Sequence, residues 1–247
     1  MPSVAELTAL YGNFMLNPRP GPNVCDVCFN LTDGYARCYA CTHCELWLDA
    51  VCPISYCVAC EQLHHALRGY KRWPDPAAQV VRVELAAALW RFLATHERCI
   101  AEAAGTGSFE AVTTVPSGDA SRDEEHPLRS IVGDLVTPTR ERYARLLRRS
   151  PDPAGPRVFS RRKFDTTMEI GGHSVLLIDD TWTTGANAQS AAAALKAAGA
   201  SRVAALVIGR YLNPEWREND RRLRGISRPF DWDRCVFCAP DRVRVSR

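Results

Sequence analysis

Val175-Leu-Leu-Ile-Asp179-Asp180-Thr181-Trp182-Thr183-Thr184-Gly185-Ala186-Asn187 is the stretch on which the reading of this chain turns. Four consecutive apolar residues suit a strand covered on both faces, two acids stand at its end, and a Thr- and Gly-bearing turn opens onto an Ala-rich helix over 186–198. Another apolar run, 202–209, completes strand, helix and strand within about 35 residues, which predicts a βαβ unit and a parallel sheet.

In open α/β sheets, ligands bind outside the carboxyl ends of the strands, and the polar groups of this stretch fall there. Backbone N–H groups at a helix start, the hydroxyls of Thr181, Thr183 and Thr184, and Gly185, with Ala186 and Asn187 in the first turn, make an anion cradle suited to a phosphate monoester. Asp179 and Asp180 would repel that phosphate unless hydroxyls or a cation lie between. A ribose 5-phosphate meets the requirement: the acids accept hydrogen bonds from its 2- and 3-hydroxyls, directly or through Mg²⁺, which takes few protein ligands. The sequence gives no physical reason to prefer one acid. Trp182 either stacks on a ligand or packs against the sheet. A P-loop is disfavoured, because no Gly-Lys-Ser/Thr follows.

Working outward, 61–70 and 80–104 carry helical spacing, and 111–115 looks like a short strand stopped by Pro116. A polar loop is expected over 117–126, a helix over 127–136 and a second, basic helix over 140–149. The breaker run 150–156 then precedes a strand at 157–159.

Eight of the eleven cysteines lie between 25 and 60. Cys25-x2-Cys28-x9-Cys38-x2-Cys41 offers two knuckles, each presenting two thiolates to one tetrahedral Zn²⁺ in a closed, structural site. Cys44 extends the second knuckle, and a second metal on Cys44, Cys52, Cys57 and Cys60 is an alternative, opposed by the strand-like character of 51–56. One zinc per chain is the expectation. His96 and Cys99 share a helical face but need two more ligands, so they are assigned to core or surface. Cys235-x2-Cys238 offers a redox disulfide or two ligands to a metal site, but with no second pair nearby in sequence it reads as inert. The clustering divides the chain into a zinc-knuckle module, 1–60, and an α/β domain, 61–247.

A net charge of +3 names no partner, and no apolar run approaches the ~20 residues of a membrane-spanning helix. The first residues lack a basic and then hydrophobic leader, so a cytoplasmic protein without membrane insertion is expected.

The stretch from Ile178 to Gly185 resembles the phosphoribosyl-pyrophosphate (PRPP) signature of type I phosphoribosyltransferases. With the cysteine knuckles ahead of it and Gln62-Leu-His-His-Ala-Leu-Arg-Gly-Tyr-Lys71 between, the chain is similar to the ComF family of competence-associated proteins. That resemblance implies a type I phosphoribosyltransferase-like parallel sheet flanked by helices, PRPP and Mg²⁺ binding, and transfer of the 5-phosphoribosyl group to a nitrogen acceptor that the sequence does not identify. Asp179 and Asp180 would be catalytic. Ser117 and Gly118, with Arg122 nearby, would contact pyrophosphate, and Arg161, Arg162 and Lys163 would form a basic lid that excludes water. The alternative is a PRPP-sensing or single-strand nucleic-acid-binding adaptor without turnover, its zinc module and the 140–149 helix contacting phosphates or a protein partner.

Overall fold

The structure is a computed structural model that describes residues 2–117, 123, 126–151, 154–155, 157–226 and 229–238. Its centre is a four-stranded parallel sheet built from β1 (Ala50–Val58), β2 (Ala111–Thr114), β5 (Ser174–Trp182) and β6 (Arg202–Leu212), in the order β1-β6-β5-β2. A separate antiparallel ribbon pairs β3 (Leu147–Arg149) with β4 (Phe164–Thr166).

Strand alternation sorts the side chains into two cores. Leu176 and Ile178 of β5, with Leu206 and Ile208 of β6, pack on the face covered by α4 (Gln62–Arg72) and α5 (Ala77–Ala103). Val175 and Leu177, with Val203, Ala205 and Val207, face the opposite layer, which includes the Ala-rich helix Ala186–Ala197. Both faces are therefore covered, as the near-continuous apolar runs predict. Pro53 lies in β1, which among the described residues is an edge strand paired with β6, and an edge strand tolerates its missing N–H. On the α4 side, Gly209 permits close approach, because a Cβ there would stand 2.8 Å from Leu67 Cδ1.

β1 belongs to the module side of the boundary expected at residue 60, yet it is hydrogen-bonded into the main sheet next to β6. Earlier come short helices α1 (Val4–Thr8) and α2 (Tyr11–Phe14), then the cysteine loops with α3 (Tyr39–Thr42).

Other expectations need correction. The segment 127–136 is not one helix: it divides into α6 (Pro127–Ser130) and a wider π turn over Ile131–Leu135, followed by α7 (Thr137–Arg140). No basic helix runs over 140–149. There the chain turns, Tyr143 bridges to Val112, and β3 follows, because Leu146 and Leu147 are buried and Arg142 is drawn inward onto Glu97 and the Phe109 carbonyl. The strand expected at 157–159 forms instead at β4, after a turn around the buried Lys163. We label the Ala-rich helix α8 and Asn219–Arg224 α9.

Candidate functional site

The carboxyl ends of the parallel strands carry the acids. Because successive side chains of a strand point to opposite faces, Asp179 follows Val175 and Leu177 toward α8, whereas Asp180 follows Leu176 and Ile178 toward α4. Asp179 thus lines a small concavity with Thr181, Thr183, Thr184, Gly185 and Asn187. Gly185 caps α8 with φ +83, a left-handed conformation that glycine adopts without a steric cost. It also lies directly on the indole of Trp182, where an added Cβ would fall 2.1 Å from Cζ2. Trp182 is buried beneath the turn, so of its two expected roles the packing one is observed. Ala186 N donates to Thr184 Oγ1 at 3.4 Å, and the first turn of α8 presents its remaining N–H groups at the concavity. Trp182 Nε1 and Asn187 Oδ1 are buried and unpartnered among the described residues, which is unusual for polar atoms and leaves donor and acceptor capacity beside this turn.

Asp180 lies in a different environment. Tyr70 donates its hydroxyl to Asp180 Oδ2, and the Lys71 ammonium forms an ion pair with the same oxygen. His126 stands edge-on to the Tyr70 ring, 6.4 Å between centroids. Burial acts to raise the Asp180 pKa, but the Lys71 charge and the hydrogen bonds from Lys71 and Tyr70 outweigh it and hold the group ionised. Asp179, desolvated and next to that charge, is pushed up to about 8. Burial and the Lys71 charge push His126 down to about 4, so it is neutral. The two acids are therefore inequivalent: one is neutralised by α4, while the other faces the turn and is the oxygen donor open to a ligand.

Tyr70, Lys71 and His126 are the partners that spacing alone did not identify as a site. Tyr70 and Asp180 lie 110 positions apart, and only the parallel pairing of β1, β6 and β5 brings α4 across to the acid.

The remaining expected residues distribute as follows. The chain leaves β2 beside the acids, since Val115 N donates to Ile178 O, and Ser117 N then donates to Asp123 Oδ1 at 2.7 Å. Gly118 and Arg122 lie outside the described residues. Arg162 is exposed. Lys163 is buried, its Nζ donating to the Gly155 and Val158 carbonyls at 2.7 and 2.9 Å, so it fastens its own loop and is not placed to swing over a ligand. Arg161 pairs with Glu45 at 2.6 Å and stacks over Trp47, tying that loop to the end of the cysteine module.

The cysteine module sits against this same end of the sheet. Cys25, Cys28, Cys38 and Cys41 bring their sulfurs within 4.8 Å of one another, and Cys28 and Cys38 are 3.7 Å apart. Four thiolates so arranged fit a tetrahedral metal such as zinc, for which neighbouring sulfurs stand about 3.8 Å apart at a bond length of about 2.3 Å. Cys44, Cys52, Cys57 and Cys60 form no comparable group among the described residues: Cys52 and Cys57 are buried in β1, and Cys60 is exposed. Arg210 of β6, buried, donates to the Cys28 carbonyl and to the Trp182 carbonyl, both at 3.2 Å. Burial acts to lower its pKa, but the neighbouring sulfurs of Cys28 and Cys38 outweigh this and raise it, so the guanidinium stays charged. One guanidinium thus joins the first cysteine loop to the end of β5.

Between the module and the turn lies a concavity of about 540 Å³, whose rim includes Tyr35, Arg37, Tyr39, Thr183, Trp216 and Arg217. Its three aromatic side chains are largely exposed, and Thr183 connects it to the turn. A second Cys/His group able to hold a metal consists of His96, Cys99, Cys235 and Cys238. No helix of the described residues is long and apolar enough to cross a membrane.

No protein-family profile matches the chain, and neither curated proteins nor solved structures give a match.

Proposed function

We propose that the chain is a type I phosphoribosyltransferase-like protein, akin to the ComF family, whose turn from β5 to α8 holds the 5-phosphate of PRPP. The observation carrying this reading is the division of labour between the two acids at a parallel strand end. Asp180 is neutralised by Lys71 and Tyr70, so its charge does not oppose a phosphate, and Asp179 faces the anion cradle. In this reading Asp179 accepts a ribose hydroxyl or holds Mg²⁺, which when bound would neutralise the leaving pyrophosphate. Thr181, Thr183, Thr184 and the N–H groups of Gly185, Ala186 and Asn187 receive the phosphate. Asp180 positions Lys71 and Tyr70 instead of touching the sugar. The chain following β2, through Ser117, supplies the pyrophosphate side, and Arg162 is the exposed cation of the lid loop.

The concavity at the cysteine module supports the transfer branch of the proposal. It opens beside Thr183, and its exposed tyrosines and Trp216 with neighbouring arginines suit a planar nitrogen base, free or within a single-stranded nucleic acid. Residues 140–149 do not form the basic helix of the nucleic-acid alternative, and Arg142, Arg145 and Arg148 pair with Glu97, Asp123 and Asp165.

The test is pyrophosphate release from Mg²⁺-PRPP with a panel of nucleobases and oligonucleotides. Base-dependent release abolished by Asp179→Asn supports the enzyme, and saturable PRPP binding without release supports the sensor. Absence of both overturns the proposal.

A further inference from the structure

We propose that His96, Cys99, Cys235 and Cys238 bind a second, structural zinc ion that staples the C-terminal segment onto α5 and the cysteine module. The inference is independent of the PRPP reading.

His96 and Cys99 are one helical turn apart on α5, and Cys235-x2-Cys238 is a knuckle more than 130 residues downstream. The fold brings all four donor atoms within 4.8 Å of one another. The separations suit the ion: Cys235 Sγ and Cys238 Sγ are 3.5 Å apart, and Cys238 Sγ is 3.6 Å from His96 Nδ1. Around a tetrahedral zinc with bonds of about 2.3 Å to sulfur and about 2.0 Å to nitrogen, such pairs stand about 3.5–3.8 Å apart.

The surroundings prepare the ligands. His96 is buried, and its Nε2 lies 2.9 Å from the Trp232 carbonyl, a group that can only accept. Nε2 therefore carries the proton, and the lone pair on Nδ1 faces the thiols, the outer-shell arrangement usual for metal-bound imidazoles. Phe237 N donates to Cys235 Sγ at 3.4 Å and Cys235 N donates to Cys238 Sγ at 3.3 Å, bonds that favour thiolate over thiol. Three thiolates and a neutral imidazole close the first shell, so the site is structural.

What the ion would hold is a segment with little secondary structure of its own. Residues 229–238 contain no helix or strand, yet Phe230 and Val236 are buried in the α4–α5 core. Asn17 brackets the segment, donating from Nδ2 to the Asp231 carbonyl and accepting from Asp231 N. Phe237, inside the second knuckle, meets Phe29, next to Cys28 of the first, edge to face at 6.0 Å. The two metal loops thus touch, and the tail closes the N-terminal segment, the module and α5 into one body. Metal binding energy here would substitute for the ordering that secondary structure does not supply.

The test is the zinc-to-chain ratio of the full-length protein, purified under reducing conditions and dialysed against metal-free buffer. Two equivalents are expected, falling to one in Cys238→Ser, to one in Cys25→Ser, and to zero in the variant carrying both. If Cys238→Ser does not fold, X-ray absorption of the wild-type zinc decides: the two sites together predict seven sulfurs and one nitrogen. One equivalent with an all-sulfur shell would overturn the proposal, as would a Cys235–Cys238 disulfide in the native chain or a folded Cys238→Ser that keeps both ions.

Discussion

Replacing Gly185 by alanine probes the turn more sharply than any charge change, because two separate costs can be read from the geometry. The residue sits at φ +83, and a left-handed conformation costs an L side chain about 1–2 kcal/mol. The new Cβ would also lie 2.1 Å from Trp182 Cζ2 and 2.5 Å from Cε2. The indole is 2% exposed and so has nowhere to go without disturbing the core, an overpacking cost of about 1–3 kcal/mol. Together these predict a loss of about 2–5 kcal/mol for Gly185→Ala, measured by urea unfolding followed by circular dichroism. In a Trp182→Leu background the ring atoms are gone, and the same glycine substitution should cost only the backbone part, about 1–2 kcal/mol. Equal costs in both backgrounds, or a loss below about 0.5 kcal/mol in the wild type, would refute the packing of glycine on indole that shapes the cradle.

Further predictions concern charge. Lys71→Met leaves the Asp180 carboxylate buried without its cation. Because Lys71 is about one-third exposed, the cost should be about 1–3 kcal/mol, with Asp180→Asn in the same chain recovering most of it; no recovery would mean that the pair is not coupled. Arg210→Leu removes the donor to the Cys28 and Trp182 carbonyls and the positive charge beside the thiolates. It should destabilise by about 3–5 kcal/mol and speed zinc loss to a chelator, and an unchanged release rate would contradict the bridging role. Asp179 has an ordinary pKa of 3.8 and a folded value of about 8, so between those pH values the folded chain retains a proton that the unfolded chain has lost. Its contribution to stability therefore falls as pH rises from about 4 to about 8 and is constant above. Asp179→Asn should remove that part of the slope, and an identical pH profile in the variant would show that the carboxyl is not held neutral.

Local patterning made the βαβ unit legible, since the apolar runs of β5 and β6 and the Ala-rich α8 need only their own periodicity. The first cysteine quartet was legible for the same reason, its four ligands falling within 17 residues. The second group was not. Each half, His96 with Cys99 and Cys235 with Cys238, is two ligands short, and only the path of the tail across α5 unites them. Arginine spacing misled at 140–149, where Arg142 serves Glu97 and two carbonyls, a tertiary demand that overrides helical periodicity. The inequivalence of Asp179 and Asp180 likewise depends on α4 crossing over β6 and β5, which no nearby residue announces.

The account stands most directly on titration calorimetry of the wild-type chain with PRPP in the presence of Mg²⁺. It predicts saturable binding near one site per chain, competition by ribose 5-phosphate, and loss of the heat in Asp179→Asn and Gly185→Ala. No heat at any concentration, or binding that Asp179→Asn and Gly185→Ala leave intact, would contradict it.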